Sequence, residues 1–129
     1  EDGLEAVYGA GGSTGPYPYT GGLRYDVNTK AAFGSRVGNI EVRNPATRAW
    51  GAPDTAKTYK LFVLSFNATG GDGYKTLAAV PAARRLDIGV LDADVFLSYI
   101  DKQAKDTATG LPLLKRLPVE LYSTRSFAN

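Results

Sequence analysis

Residues 66–74 read FNATGGDGY and combine one phenylalanine, one aspartate and three glycines within nine positions. Glycines permit positive φ angles and let the backbone approach a ligand closely. The carboxylate of Asp72 can accept hydrogen bonds from both hydroxyls of a vicinal diol, and the ring of Phe66 can stack on a planar group. The stretch therefore suits a nucleoside, with the base on the ring and the ribose on the acid. A core role for Phe66 and a turn role for Asp72 explain the same residue types equally well.

A second aromatic segment, PYPY at residues 16–19, lies in a glycine-rich stretch without helical or strand periodicity. Exposing an aromatic ring to water in such a loop is unfavourable unless a flat partner stacks on it. Two such rings in separate loops form a clamp for a base. The adjoining stretch GAGGSTG, residues 9–15, is also compatible with a phosphate loop. No Lys-Ser/Thr pair follows it and a predicted helix precedes it, so the phosphate loop is disfavoured.

Composition excludes several kinds of active site. The chain has 129 residues, a formal net charge of +2 and neither His nor Cys, so a Ser/His/Asp triad and a thiolate zinc site are excluded. Asp92 and Asp94 are oxygen ligands by type, but helix capping explains them more simply. We therefore expect neither catalytic residues nor metal ligands in this chain.

The same composition limits the partners. Basic and acidic side chains are scattered without a run of like charge that would follow a nucleic-acid backbone, so we expect no nucleic acid. The apolar run at residues 61–64 is far shorter than the roughly 20 residues of a membrane-spanning helix, so we expect no membrane insertion.

Hydrophobic periodicity predicts an α+β domain that spans residues 1–129. Its sheet is mixed and has four or five strands, accompanied by two or three helices. The helix predicted with most support has apolar residues from Leu91 to Ile100 at helical spacing, with Asp92 as N-cap and Asp94 in the first turn. A helical end is predicted at residues 1–8, and strands at residues 23–27, 37–42, 58–65 and 119–122.

Three stretches together resemble the C-terminal domain of the 5'-nucleotidase family, which includes UDP-sugar hydrolases and NAD-degrading nucleotidases. They are TYKLFVLSFNATGGDGY at 58–74, VLDADVFLSYI at 90–100 and GPYPYTGGLRYDV at 15–27. In that family the domain binds the nucleoside and holds its base between two aromatic rings. The resemblance thus adds weight to the nucleoside hypothesis for residues 66–74.

The resemblance also implies roles for individual residues. It places the two aromatic positions on Tyr17 and Phe66, with Tyr19 as the alternative to Tyr17, and the ribose-binding acid on Asp72. It further implies substrate-binding positions in the same motif that shape and hold the loop. These are Asn67, Gly70 and Gly71.

Family members carry a separate N-terminal metallophosphoesterase domain, in which His, Asp and Asn side chains hold two divalent metal ions. A chain without His cannot contain that site. The resemblance therefore implies an N-terminally truncated piece, the latter part of the C-terminal substrate-binding domain. Its first residue, Glu1 rather than Met, fits a fragment or a mature product. The two metal ions are expected in the missing domain, which would be a partner of this chain, and none in the chain itself.

The implied function is to bind a nucleotide or nucleoside for a phosphohydrolase, in the periplasm or at the cell surface, where family members work. Two alternatives stay open. The chain is a stand-alone nucleoside-binding module without catalysis, or it is a structural remnant that keeps the fold without the site.

Overall fold

The computed structural model describes residues 1–9 and 13–129. The disfavoured phosphate loop at residues 9–15 thus falls partly outside the described residues. The chain divides into two compact units, of which the first comprises Glu1–Val80 and Pro118–Asn129 and the second Pro81–Leu117. That both units belong to a single domain stays a prediction.

The first unit is built on a sheet. Within the described residues this sheet has four strands in the order β3-β2-β1-β4. The bounds are β1 Leu23–Asn28, β2 Val37–Arg43, β3 Trp50–Gly51 and β4 Thr124–Ala128. β1 pairs antiparallel with β2 and parallel with β4, and β2 pairs antiparallel with β3. The mixed sheet and the α+β class are therefore confirmed, as are the predicted strands at residues 23–27 and 37–42.

Side chains of β1 alternate between two environments, as a strand with one buried face requires. Tyr25 and Val27 point to one face and are buried together with Leu4, which comes from the N-terminal helix. On the other face Arg24 pairs with Glu41 of β2, with a distance of 2.7 Å between Nε and Oε2. Alternation in the sequence LRYDV thus separates an apolar core from a charged surface.

Helices lie at the start of the chain, around the glycine-rich motif and in the second unit. The first helical segment is α-helical at Asp2–Leu4 (α1) and continues with a wider, π-helical winding at Glu5–Gly9, which confirms the predicted helical end. Its apolar residues Leu4 and Val7 are buried. Two short helices border the motif at residues 66–74: α2 at Ser65–Ala68 contains its first three residues, and α3 at Lys75–Ala78 follows it.

The helix α4 at Asp92–Asp101 confirms the prediction made from Leu91 to Ile100. Asp92 is not its N-cap, however, because the cap is Leu91 and Asp92 is the first helical residue. The Asp92 carboxylate accepts a hydrogen bond from the N–H of Ala93 instead. Asp94 lies in the first turn as predicted, where a negative charge is favourable beside the helix N-terminus.

Two predicted strands are wrong. Residues 58–64 belong to no helix or strand, and Ser65 already begins α2. A strand needs a neighbour for its backbone groups, and in the described part of the chain no backbone N–H from Thr58 to Val63 donates to another backbone group. Residues 119–122 form a 3₁₀ turn at Val119–Leu121, because pairing with β1 begins only at Thr124.

None of the helices found in residues 1–9 and 13–129 has both the length and the apolar character needed to cross a bilayer. Apolar side chains of residues 61–64 and of α4 are exposed.

Candidate functional site

The motif at residues 66–74, called here the glycine loop, begins inside α2 and ends just before α3. The hydroxyl of Thr69 donates to the carbonyl oxygens of Ser65 (3.1 Å) and Phe66 (2.9 Å), which closes the single turn of α2. Gly70, with a φ of 99°, then turns the chain out of the helix in a left-handed conformation that glycine adopts without steric cost. A 3₁₀ turn at Gly71–Gly73 follows.

Phe66 projects from α2 over Gly71. A Cβ atom at Gly71 would lie only 2.5 Å from Cζ of the Phe66 ring, so the ring occupies the space that a larger residue would need. The Phe66 side chain is still 59% exposed and lies outside the buried core. Because Cε1 and Cε2 would lie almost as close as Cζ, at 2.6 Å each, Gly71 faces one side of the ring, and more than half of the residue remains exposed.

Asp72 lies at the tip of the glycine loop and is exposed. Its backbone is left-handed, with φ 56° and ψ 22°, a conformation in which Asp is tolerated better than most residues. Within the described part of the chain, no hydrogen bond or ion pair engages its carboxylate. Burial, and after it the charges of Asp72 and Asp2, raises the pKa of the Tyr74 hydroxyl.

The segment PYPY at residues 16–19, called here the aromatic loop, packs on the sheet. Tyr17 is half-buried against the core cluster of Leu4, Tyr25 and Val27, and its hydroxyl is hydrogen-bonded to the hydroxyl of Thr124 in β4. This attachment fixes the ring with one side toward the protein.

Tyr19 differs from Tyr17 in its exposure. Its side chain is 83% exposed, and its ring lies on that of Tyr17 with 4.9 Å between the centroids and 45° between the planes. The aromatic loop therefore presents a half-buried ring and a largely exposed one side by side.

The two loops are joined by Tyr74, the last residue of the glycine loop. Its hydroxyl donates to the carbonyl oxygen of Pro16 over 2.7 Å, across 58 residues of sequence. Among the described residues the rings of Phe66 and Tyr17 do not contact each other. The structure thus joins the two predicted loops by a hydrogen bond, and the Phe66 and Tyr17 rings remain apart.

The remaining predicted residues support the glycine loop. Asn67 is half-buried in α2, and its backbone carbonyl accepts a hydrogen bond from the N–H of Gly70 (3.0 Å). Gly70 would place a Cβ 3.1 Å from that of Ala78 in α3, so this glycine also lets α2 and α3 approach.

Three residues that the sequence interpretation did not single out also shape the site. Tyr74 joins the loops, Gly3 leaves room for that contact, and Asp2 accepts hydrogen bonds from the N–H (2.6 Å) and hydroxyl (3.1 Å) of Thr76 in α3. Periodicity and motif spacing carry no signal for these contacts, because the hydrogen bonds of Tyr74 and Asp2 join residues more than 50 positions apart.

Within residues 1–9 and 13–129, no three acidic side chains group so that they could hold a metal ion. That the chain itself binds no cofactor stays a prediction.

Comparison with known proteins identifies the class to which this fold and these loops belong, that of domains from nucleotidase-type phosphohydrolases. The chain matches the family model described as 5'-nucleotidase, C-terminal domain over residues 1–79 of its 129. It therefore belongs to the 5'-nucleotidase C-terminal domain family. No solved structure matches the chain significantly.

Similar proteins are considerably longer than this chain. It is 37% identical over 95 residues to the NAD 5'-nucleotidase of Haemophilus influenzae, which covers 70% of the chain and 16% of that protein. It is 36% identical over 102 residues to the probable 5'-nucleotidase of Treponema pallidum, with 78% and 17% covered. It is 47% identical over 51 residues to Protein UshA of Escherichia coli, with 40% and 9% covered. The chain thus spans at most 17% of the length of these relatives.

Proposed function

We propose that this chain binds the nucleoside part of a nucleotide for a 5'-nucleotidase-type hydrolase of phosphoesters. The base stacks between Phe66 and the aromatic loop, where Tyr17 is the fixed ring, and the ribose diol binds the carboxylate of Asp72. The observation that carries the proposal is the exposed ring of Phe66, seated on Gly71 in the same loop as an exposed acid and tied through Tyr74 to the aromatic loop.

The chemistry of each contact supports this assignment. An exposed ring with one face against the backbone loses little conformational entropy when a base stacks on it, and stacking of one base contributes about 1 to 3 kcal/mol. The Asp72 carboxylate can accept a hydrogen bond on each oxygen, as the two hydroxyls of a ribose require. Both contacts position the substrate, and neither breaks a bond.

Bond breaking belongs to another part of the enzyme in this proposal. The described residues do not fit a metal site and the chain has no His, so the two divalent ions are assigned to a separate metallophosphoesterase domain. When bound there, the ions activate a water molecule for attack on phosphorus. The domain partner and an export location in the periplasm or at the cell surface are parts of the same proposal.

The first prediction tests the ring. In the full-length protein, Phe66→Ala should raise KM for AMP about 5- to 150-fold, equivalent to roughly 1 to 3 kcal/mol of stacking, with little change in kcat. Steady-state kinetics measures both constants, and metal analysis should show an unchanged content. The matched control is Phe96→Ala, which removes another phenyl ring that is 57% exposed, and KM should not change.

The second prediction tests the role of Asp72 with a nucleotide that lacks the ribose diol. Asp72→Asn keeps the size of the side chain and tolerance of the left-handed backbone but removes the charge. It should raise KM for AMP and have little effect on KM for 2',3'-dideoxy-AMP, which has no diol. Equal effects on both nucleotides, or unchanged kinetics in both the Phe66→Ala and Asp72→Asn variants, would end the proposal.

A further inference from the structure

The proposed nucleoside site is made of two loops, and its geometry depends on what holds them at a fixed separation. The Tyr74 hydroxyl bridges them by donating to the Pro16 carbonyl oxygen at 2.7 Å. Because Tyr74 follows Asp72 by two residues and Pro16 precedes Tyr17, this hydrogen bond connects the neighbours of the acid and of the stacking ring.

The Pro16 end of this hydrogen bond lies in a rigid loop. Proline fixes φ at residues 16 and 18, and the N–H of Tyr17 donates to the carbonyl oxygen of Thr14 (3.1 Å). The hydroxyl of Tyr25, on β1, donates to the carbonyl oxygen of Pro18 (2.5 Å). The aromatic loop is thereby attached to the sheet independently of Tyr74.

The Tyr74 end is anchored as well. Its N–H donates to the carbonyl oxygen of Gly71 (3.3 Å), and two residues later the Asp2 carboxylate accepts from the N–H of Thr76 (2.6 Å). Burial, with Asp72 and Asp2 as further causes, raises the pKa of Tyr74, so its hydroxyl keeps the proton that it donates.

An independent observation shows that the chain makes room for this contact. Gly3 lies inside α1, although glycine in a helix is less favourable than alanine by about 1 kcal/mol. A Cβ at Gly3 would lie 2.5 Å from both the Pro16 carbonyl oxygen and the Tyr74 hydroxyl oxygen. Any larger residue at position 3 would therefore force the two hydrogen-bonded groups apart.

We infer that Tyr74 is a positioning residue that sets the separation of the aromatic loop from Asp72 and Phe66, with Gly3 as the clearance that the contact requires. The inference rests on the proposed function, since its effect is on nucleoside binding. Tyr74 need not touch the ligand, because it acts by holding the two loops that do.

The experiment uses the full-length protein and two substrates. Tyr74→Phe keeps the ring but removes the donor, and should raise KM for AMP about three- to tenfold. The same variant should leave kcat/KM for p-nitrophenyl phosphate, which has no nucleoside, within about twofold of the wild type. The control is Tyr59→Phe, because the Tyr59 hydroxyl accepts from the N–H of Asp54 within its own turn and should affect neither substrate.

Gly3→Ala tests the same contact from the other side and completes a double-mutant cycle. If both changes break one hydrogen bond, the double variant should show the KM of the more affected single variant and not the product of both effects. Multiplying effects, an unchanged KM for AMP in Tyr74→Phe, or equal losses on both substrates would each overturn the inference. Melting temperatures show whether the Gly3→Ala protein folds. If it does not, the effects of Tyr74→Phe on the two substrates decide the inference.

Hydrogen exchange separates failure of this inference from failure of the proposed function. In Tyr74→Phe the amides of Tyr17 and Tyr74 should exchange faster, whether or not a nucleoside binds. If Phe66→Ala and Asp72→Asn leave KM for AMP unchanged, the nucleoside site is wrong and the positioning role falls with it. If those two variants raise KM while Tyr74→Phe changes neither KM nor exchange, only the positioning role is wrong.

Discussion

The three positions of the glycine loop that are occupied by glycine require it for different physical reasons. Gly70 and Gly73 have φ angles of 99° and 82°, which side chains with a Cβ rarely adopt. Gly71 instead lacks a Cβ because the Phe66 ring takes its place. The composition of FNATGGDGY thus reflects both a tight turn and the seat of an exposed ring.

Gly71→Ala tests this seat. The added methyl group would lie 2.5 Å from Cζ of Phe66, so the ring must move, and KM for AMP should rise toward the value of Phe66→Ala. Gly21→Ala is the matched control, because a Cβ there meets no atom within 4 Å. Steady-state kinetics of both variants measures the effect. A raised KM in Phe66→Ala together with a normal KM in Gly71→Ala would show that this contact does not set the ring position.

The sheet carries a charged surface opposite its core. Arg125 of β4 binds Asp26 of β1, with 2.6 Å between Nη2 and Oδ2, and also Glu41 of β2, with 3.0 Å between Nη1 and Oε2. At the other edge, the guanidinium of Arg24 lies 4.5 Å from the centroid of the Trp50 ring, which attaches the two-residue strand β3. These cross-strand contacts connect all four described strands on one face.

Asp26 should make the stability of the sheet depend on pH. Hydrogen bonds from Arg125, and then from Asn39, hold the pKa of the Asp26 carboxyl well below its ordinary value. Because the pKa is lower in the folded state, the stabilisation is present above the unfolded pKa of about 3.9 and is lost as the pH falls below it. Asp26→Asn should therefore lower the free energy of unfolding at pH 7. The free energy of unfolding of this variant should also fall less than that of the wild type as the pH is lowered.

Urea denaturation between pH 7 and pH 3 measures this difference. Asp101→Asn is the control, since no ion pair engages that exposed carboxylate in the described part of the chain. A variant Asp26→Asn whose stability falls with pH as steeply as that of the wild type would contradict the prediction.

The molecule has an uneven distribution of buried surface. The buried apolar residues described are Leu4, Val7, Tyr25 and Val27, and all of them lie in the first unit. In the second unit, the described residues of α4 include exposed apolar side chains such as Val95 and Phe96. Local stability follows buried apolar contacts, so the two units should differ in how readily they open.

Amide hydrogen exchange of this chain should show that difference. The amides of β1, which lies between β2 and β4, should exchange slowest, and those of α4 should exchange faster by local opening. Equal protection of α4 and β1 would contradict the prediction. It would indicate that the exposed apolar side chains of α4 are covered in solution, and a dependence of the exchange on protein concentration would identify self-association as the cause.

Local patterns predicted several of the elements found. Period-two alternation identified β1, turn residues on either side of a β-prone run identified β2, and helical spacing identified α4. The run LFVL was wrong as part of a strand, because four apolar residues with β propensity do not form one without a neighbour to pair with. The last strand was predicted at residues 119–122, but β4 begins at Thr124, because pairing with β1 sets where the strand begins.

The sequence by itself determined the residue types of the candidate site, the exclusion of His- and Cys-based chemistry, and the family resemblance carried by FNATGGDGY. Only the tertiary structure decided that Tyr17 is half-buried while Tyr19 is exposed, and that Tyr74 reaches Pro16 above Gly3. The physical reason is the distance in sequence over which each property is determined. A motif or a period reports the preferences of neighbouring residues, whereas burial and loop contacts depend on residues that are distant in sequence and meet only when the chain folds.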